Sequence, residues 1–109
     1  MKKLTNDVVI IGAGAAGMFA AVQAAKNGLH VLLLDKNERN GKKLAITGKG
    51  RCNVTNFCSG AEVLKNVPRN GKFLFSALSR FAPENTMDFF EENGCPSESG
   101  TGQSGFPGL

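Results

Sequence analysis

Residues 7–35, DVVIIGAGAAGMFAAVQAAKNGLHVLLLD, constrain the fold more than any other stretch. A short apolar run meets a glycine-rich turn, then a helix-patterned segment, then a second apolar run. That order describes a βαβ unit and therefore an α/β domain built on a parallel sheet. Val8, Val9, Ile10 and Ile11 show no polar alternation, the pattern of a central strand buried on both faces. Gly12, Gly14 and Gly17 fit G-x-G-x-x-G. The first glycine allows a tight turn, the second lets backbone approach a pyrophosphate, and the third lets helix and strand pack closely. Residues 13–27 favour helix, with Met18, Val22 and Ala25 at helical spacing and Ala16, Ala20 and Ala24 small enough for close packing. Gly28 is placed to end that helix in the left-handed conformation. Residues 30–34 form the second strand, and Asp35 follows where an acidic side chain accepts hydrogen bonds from a ribose diol.

Such a unit binds a dinucleotide because the helix N-terminus offers backbone N–H groups and a positive dipole end to an anion. A bare glycine fingerprint also fits a structural turn with no ligand. The strand before it, the helix after it, the second strand and the acidic residue favour the dinucleotide. FAD and NAD use the same glycines and the same acidic residue, so this stretch does not choose between them.

A doubly wound dinucleotide fold uses five or six strands, and only two are evident in these 109 residues. The expectation is a Rossmann-type unit with an incomplete parallel sheet followed by helices, the N-terminal part of an FAD- or NAD(P)-binding domain. The sheet would keep an unpaired edge, which soluble proteins avoid exposing. Thirteen Lys and Arg against nine Asp and Glu give a net charge of +4. Six of the basic residues, Lys36, Arg39, Lys42, Lys43, Lys49 and Arg51, fall within residues 36–51. Such a patch serves a phosphate-bearing ligand, a nucleic acid or solubility alone. With no Trp or Tyr, and Phe mostly in helix-patterned segments, stacking platforms for nucleic acid are scarce, and no nucleic-acid partner is expected. Three cysteines, an odd number without a dense framework, suggest reduced thiols and a cytoplasmic protein. The basic start leads directly into the βαβ unit, so neither a signal peptide nor a membrane segment is expected.

Residues 41–56, GKKLAITGKGRCNVTN, are the second informative stretch. A nucleotide-triphosphate loop fails there, because Lys43 stands where the first glycine is required and Gly50 where Ser or Thr should hold magnesium. The stretch does combine turn-forming glycines, cations and small hydrogen-bonding side chains in Thr47, Asn53, Thr55 and Asn56, suited to wrapping a cofactor's phosphates and ring edge. A polar surface loop would use the same residues.

GKKLAITGKGRCNVTN, the earlier GAGAAG and the later NGKFLFSALSRFAPENTMDFFEENG together resemble the HI0933-like family of FAD-dependent oxidoreductases, which takes in BaiN-like and aminoacetone oxidase-like flavoproteins. The likeness covers residues 8–97. It implies a flavoprotein whose Rossmann-type FAD domain is interrupted by an inserted substrate domain, with NAD(P)H as a possible electron donor. Gly12, Gly14, Ala15, Ala16 and Gly17 would then lie on the FAD pyrophosphate and Asp35 on the adenosine ribose. Lys36, Lys42 and Lys43 would flank the adenosine or phosphate end. Gly50, Arg51, Cys52 and Asn53 would run beside the flavin. Gly48-Lys49-Gly50 departs from the three consecutive glycines usual in the family.

Further along, residues 59–71 read as a loop or weak helix broken by Pro68 and Gly71. Residues 72–81 form an amphipathic helix, with Phe73, Leu74, Ala77, Leu78 and Phe81 on one face. Another helix spans residues 83–93, begun by Pro83 and Glu84 and stopped by Gly94. Residues 1–97 thus read as the N-terminal part of the FAD-binding domain. Residues 98–109 form a glycine-rich tail without a basic residue, whose departure from the family pattern suggests a one-nucleotide frameshift near Glu98.

No residue here is required as acid, base or nucleophile, because in a flavoenzyme the cofactor performs the transfer. His30, at the start of the second strand, reads as a packed or rim residue, and no cluster has metal-ligand spacing. One alternative is a thiol–disulfide reductase using Cys52 and Cys58, although the five intervening residues fit neither C-x-x-C nor a four-residue gap. A second is a non-flavin NAD(P)-binding module. The chain by itself is expected to be an incomplete or inactive fragment, lacking the strands that complete a pocket. A small-molecule substrate is expected, its identity and the oligomeric state open.

Overall fold

The structure is a computed structural model, and it describes residues 5–46 and 54–95. The chain divides into two compact units between Thr47 and Gly48.

In the first unit, strand β1 (Val8–Ile11) is followed by helix α1 (Ala15–Lys26), strand β2 (Val31–Leu34) and a short helix α2 (Lys42–Ile46). The strands pair in parallel, with Val8 opposite Val31 and Ile11 opposite Leu34. Bonds at both ends extend the ladder. The His30 carbonyl accepts from the N–H groups of Asp7 at 3.0 Å and Val8 at 3.1 Å, and the Leu34 carbonyl from Gly12 at 2.7 Å. This is the βαβ unit that the hydrophobic runs predict.

The covering of the sheet differs from the sequence expectation. Val8, Ile10, Val31 and Leu33 are half-buried, whereas Val9, Ile11, Leu32 and Leu34 are exposed, Ile11 at 86%. A β-branched run without polar alternation needs a packed layer on each side to be buried twice. Here α1 packs against both strands, and the alternation shows one protected face. The expectation of burial on both faces is therefore corrected for the described residues.

Helix α1 ends in a Schellman motif, the arrangement Gly28 was placed to supply. The Gly28 N–H donates to the Ala25 carbonyl at 2.9 Å and the Leu29 N–H to Ala24 at 3.2 Å. Gly28 carries φ +78°, which only glycine adopts at little cost.

The second unit contains helices α3 (Gly60–Lys65), α4 (Phe75–Arg80) and α5 (Pro83–Glu92). Ser59 caps α3, its hydroxyl oxygen accepting from the Glu62 N–H at 3.2 Å, so the weak helix of residues 59–71 is real but short. The single amphipathic helix expected over residues 72–81 is instead a 3-10 turn at Gly71–Leu74 leading into α4. Asn70, at φ +55°, turns the chain just before it. Pro83 opens α5 and is buried, and the Asn85 side-chain oxygen accepts from the Ala82 N–H at 2.9 Å. Gly94 stops the helix at φ +83°. Phe89 and Phe90 meet edge to face with ring centroids 5.3 Å apart, consistent with a packing role.

Candidate functional site

The site is built on the glycine turn between β1 and α1. Gly12 has φ +108°, which reverses the chain at the end of the strand where a side chain would be strained. Gly14 is the N-cap of α1, in extended conformation, and a β-carbon built there would meet nothing within 4 Å. Gly17 is the opposite case: a β-carbon there would collide with the Gly12 carbonyl oxygen and lie 3.4 Å from the Ile10 Cγ2 atom. The three glycines thus divide the work as their spacing predicts. One turns the chain, one leaves an open approach, and one brings helix onto strand.

The N-terminus of α1 has no side-chain cap and no acidic residue in its first turn. The Met18 N–H makes the first intrahelical bond, to the Gly14 carbonyl at 2.9 Å. The N–H groups of Ala15, Ala16 and Gly17 belong to the first turn, where an α-helix leaves donors without an intrahelical partner. With the helix dipole, these suit an anion. Donors, dipole and the open side at Gly14 together fit a pyrophosphate.

Asp35 lies just beyond β2 and its carboxylate reaches back to the turn. Oδ2 accepts from the Ala13 N–H at 2.8 Å, and Oδ1 from the Asn37 N–H at 2.7 Å. The Ala13 bond, then the Asn37 bond, hold the Asp35 carboxyl below the usual carboxylate range. Asp35 is nevertheless exposed, and a carboxylate has about four acceptor sites in all, so it retains capacity for ribose hydroxyls.

Ala13 itself is 2% exposed, the most enclosed apolar residue among the described residues of the first unit. Its carbonyl accepts from the Gly41 N–H at 2.8 Å. Gly41, at φ +66°, then feeds α2, and the Ala45 N–H returns to the Gly41 carbonyl at 3.0 Å. Through Gly41 the exposed Lys42 and Lys43 start their helix one hydrogen bond away from the glycine turn. The sequence offers residues 41–56 as a cofactor-wrapping stretch or a polar surface loop and gives Ala13 and Gly41 no separate role, whereas the structure forms α2 at Lys42–Ile46. A glycine just ahead of Lys-Lys-Leu-Ala-Ile was a visible helix signal, but its bond to Ala13 was not.

Among the expected cofactor residues, Gly12, Gly14, Ala15, Ala16, Gly17 and Asp35 therefore gather around one turn, with Lys42 and Lys43 tethered nearby. Lys36 follows Asp35 and is exposed. Gly50, Arg51, Cys52 and Asn53 lie outside the described residues, as does the tail at 98–109. Cys58 and Cys95 are free thiols of intermediate exposure. His30 stands at the rim, its side chain 84% exposed, with Nδ1 3.2 Å from an Asp7 carboxylate oxygen that also accepts the His30 N–H at 2.8 Å. A broader depression in the second unit, lined by Leu64, Val67, Phe73 and Phe75 with Arg69 and Lys72, has no carboxylate or nucleophile among its described lining residues. Among the described residues no group of three or more His, Cys, Asp or Glu is arranged to hold a metal, and no helix is long and apolar enough to cross a membrane.

Comparison with known proteins agrees with this geometry. The sequence profile of the HI0933-like protein Rossmann domain matches residues 6–108. The chain is 41% identical over 88 residues to a ribosomal RNA dihydrouridine synthase of Escherichia coli, covering 81% of this chain and 22% of that protein. It is 35% identical over 96 residues to a 3-dehydro-bile acid delta(4,6)-reductase of Clostridium scindens, covering 86% and 23% respectively. A 3-oxosteroid 1-dehydrogenase of Mycolicibacterium smegmatis is 32% identical over 89 residues, 81% of this chain and 16% of that enzyme. The chain thus spans less than a quarter of the length of these relatives.

Proposed function

The chain belongs to the HI0933-like Rossmann-domain family, and on that premise we propose that it forms the N-terminal FAD-binding portion of a flavin-dependent oxidoreductase. The observation that carries the reading is the glycine turn: open at Gly14, closed at Gly17, and facing an α1 N-terminus without a side-chain cap. In this reading the N–H groups of Ala15, Ala16 and Gly17 receive the pyrophosphate, with Gly12 and Gly14 keeping side chains out of its path. Asp35 accepts from the adenosine ribose, and its negative charge disfavours a phosphate at the ribose 2′ position. Lys36, Lys42 and Lys43 supply positive charge at the phosphate and adenosine end. Gly50, Arg51, Cys52 and Asn53 complete the set beside the flavin.

Bound FAD supplies the hydride or electron transfer, while the protein binds and orients it. NAD(P)H is the electron donor in this proposal. The substrate is a small molecule, in keeping with the absence of Trp and Tyr and with relatives named for a bile acid and a 3-oxosteroid. A second reading, a uridine of ribosomal RNA, draws on the relative named as a ribosomal RNA dihydrouridine synthase.

The test is the visible absorbance of the purified full chain, followed by titration with FAD and with NADH. A flavin spectrum, or FAD binding in preference to NADH, is expected. A colourless protein that binds NADH and not FAD would overturn the reading in favour of a nicotinamide module. Retention of a ribosomal RNA fragment by the same protein would move the substrate to the second reading.

A further inference from the structure

Asp35 is the proposed acceptor for the adenosine ribose, yet in the structure its carboxylate also bonds the glycine turn. Of its two carboxylate oxygens, Oδ2 is engaged by the Ala13 N–H at 2.8 Å, across 22 residues of sequence. Ala13 sits between the first two glycines of the fingerprint and is 2% exposed. A buried N–H at that place needs an acceptor, and this carboxylate supplies it. On the other side of the residue, the Ala13 carbonyl accepts from Gly41 at 2.8 Å. Both peptide groups flanking the Ala13 α-carbon are therefore clamped.

We propose that Asp35 is a positioning residue for the pyrophosphate turn as well as a ribose acceptor: its carboxylate holds the Ala13 N–H and so keeps Gly12-Ala13-Gly14 in the shape that receives phosphate. The proposal rests on the dinucleotide reading and extends it. Glycines flanking a single residue carry much conformational freedom, and ordering them on binding costs affinity. A clamp made in advance removes that cost for any ligand that presents a pyrophosphate, whether or not it has a ribose diol. The Asn37 N–H on Oδ1 at 2.7 Å holds the carboxylate in orientation from the other side. Two acceptor sites used out of about four leave room for ribose hydroxyls on the same group. One side chain thereby couples the adenosine end of the ligand to its phosphates.

The two roles separate with a ligand that has the phosphates but no ribose hydroxyls. Binding of ADP and of 2′,3′-dideoxy-ADP to the full chain is measured by calorimetry for the wild type, Asp35→Ala and Asp35→Asn. Asp35→Ala is expected to weaken dideoxy-ADP about tenfold, the factor equivalent to one net hydrogen bond's contribution, and ADP by more. Asp35→Asn keeps one oxygen that can face Ala13 and is expected to recover most of the dideoxy-ADP affinity. Backbone amide exchange without ligand gives a second reading, with the Ala13 N–H exchanging faster in Asp35→Ala than in the wild type. Unchanged dideoxy-ADP affinity in Asp35→Ala, unchanged protection of Ala13, or failure of Asp35→Asn to recover affinity would each overturn the proposal. If the wild-type chain binds neither nucleotide, the dinucleotide reading itself fails, a result distinct from a variant that loses only the ribose contribution.

Discussion

Gly17 lies so close to Gly12 that a β-carbon at position 17 would fall on the Gly12 carbonyl oxygen, whereas a β-carbon at Gly14 would meet nothing within 4 Å. The two positions therefore respond differently to the same substitution. Gly17→Ala must push α1 away from β1 and is expected to cost about 2–3 kcal/mol, in the upper range for overpacking. Gly14→Ala places a methyl group where the proposed pyrophosphate approaches. It is expected to change stability by no more than about 1 kcal/mol, the usual scale of an N-cap change, while weakening FAD binding. Urea unfolding and FAD titration of both variants check this, and a Gly14→Ala protein with wild-type affinity would count against the open side as the ligand's path.

Acid should loosen the first unit through two carboxylates. The His30 backbone N–H, then its ring, hold Asp7 below its ordinary value of 3.8, and the Ala13 and Asn37 N–H groups do the same for Asp35. A lowered pKa in the folded state means that the stabilising contribution is fully present above the unfolded value. It is lost as the pH falls through the folded value, because the unfolded chain takes up protons first. Wild-type stability should therefore fall more steeply than that of Asp7→Asn as the pH drops below 3.8. Parallel denaturation curves for the two proteins across that range would contradict the Asp7 contribution.

The alternation along β1 distinguishes neighbouring isoleucines. Ile10 is half-buried on the protected face and Ile11 is 86% exposed on the other. Ile10→Ala is expected to cost about 1–2 kcal/mol, a partial version of the large-to-small penalty in a full core. Ile11→Ala in this chain should cost no more than about 0.5 kcal/mol, as for other exposed positions. Equal losses would mean that both faces of the strand are covered in solution.

Gly41 carries φ +66°, and a β-carbon there would approach the Met18 Cε atom to 3.1 Å. The methionine can yield, so the backbone decides the outcome. Gly41→Ala is expected to destabilise by about 1–2 kcal/mol, the cost of a left-handed conformation for an L-residue. Because the Gly41 N–H also donates to Ala13, amide exchange at Gly41 should rise in the same variant. An unchanged rate would show that the bond survives the strain.

The thiol–disulfide alternative requires Cys52 and Cys58 to cycle together. Cys58 and Cys95 are free thiols here, and the flavin reading needs no thiol. Titration of the native protein before and after reduction is expected to give the same count, three per chain. A reversible loss of two thiols on oxidation would restore the redox pair.

The sequence by itself determined the local grammar of this protein. The two apolar runs became β1 and β2, the glycine spacing became a turn open at one position and closed at another, and Gly28 and Gly94 took the left-handed conformations that end their helices. These features depend on residues close in the chain, where sterics and backbone hydrogen bonding act over a few positions and leave a readable pattern. Residues 42–46 and 71–80 were less legible, because glycines flank a five-residue helix in the first and a 3-10 turn interrupts the amphipathic pattern in the second. What only the tertiary structure decided was who meets whom across distance: Asp35 with Ala13, Gly41 with Ala13, His30 with Asp7, and which face of the sheet α1 covers. Those pairings follow from strand register and from the return path of the chain, which bring groups more than twenty residues apart within hydrogen-bond reach. No spacing in the sequence encodes such a meeting, since it exists only once β1 and β2 lie side by side.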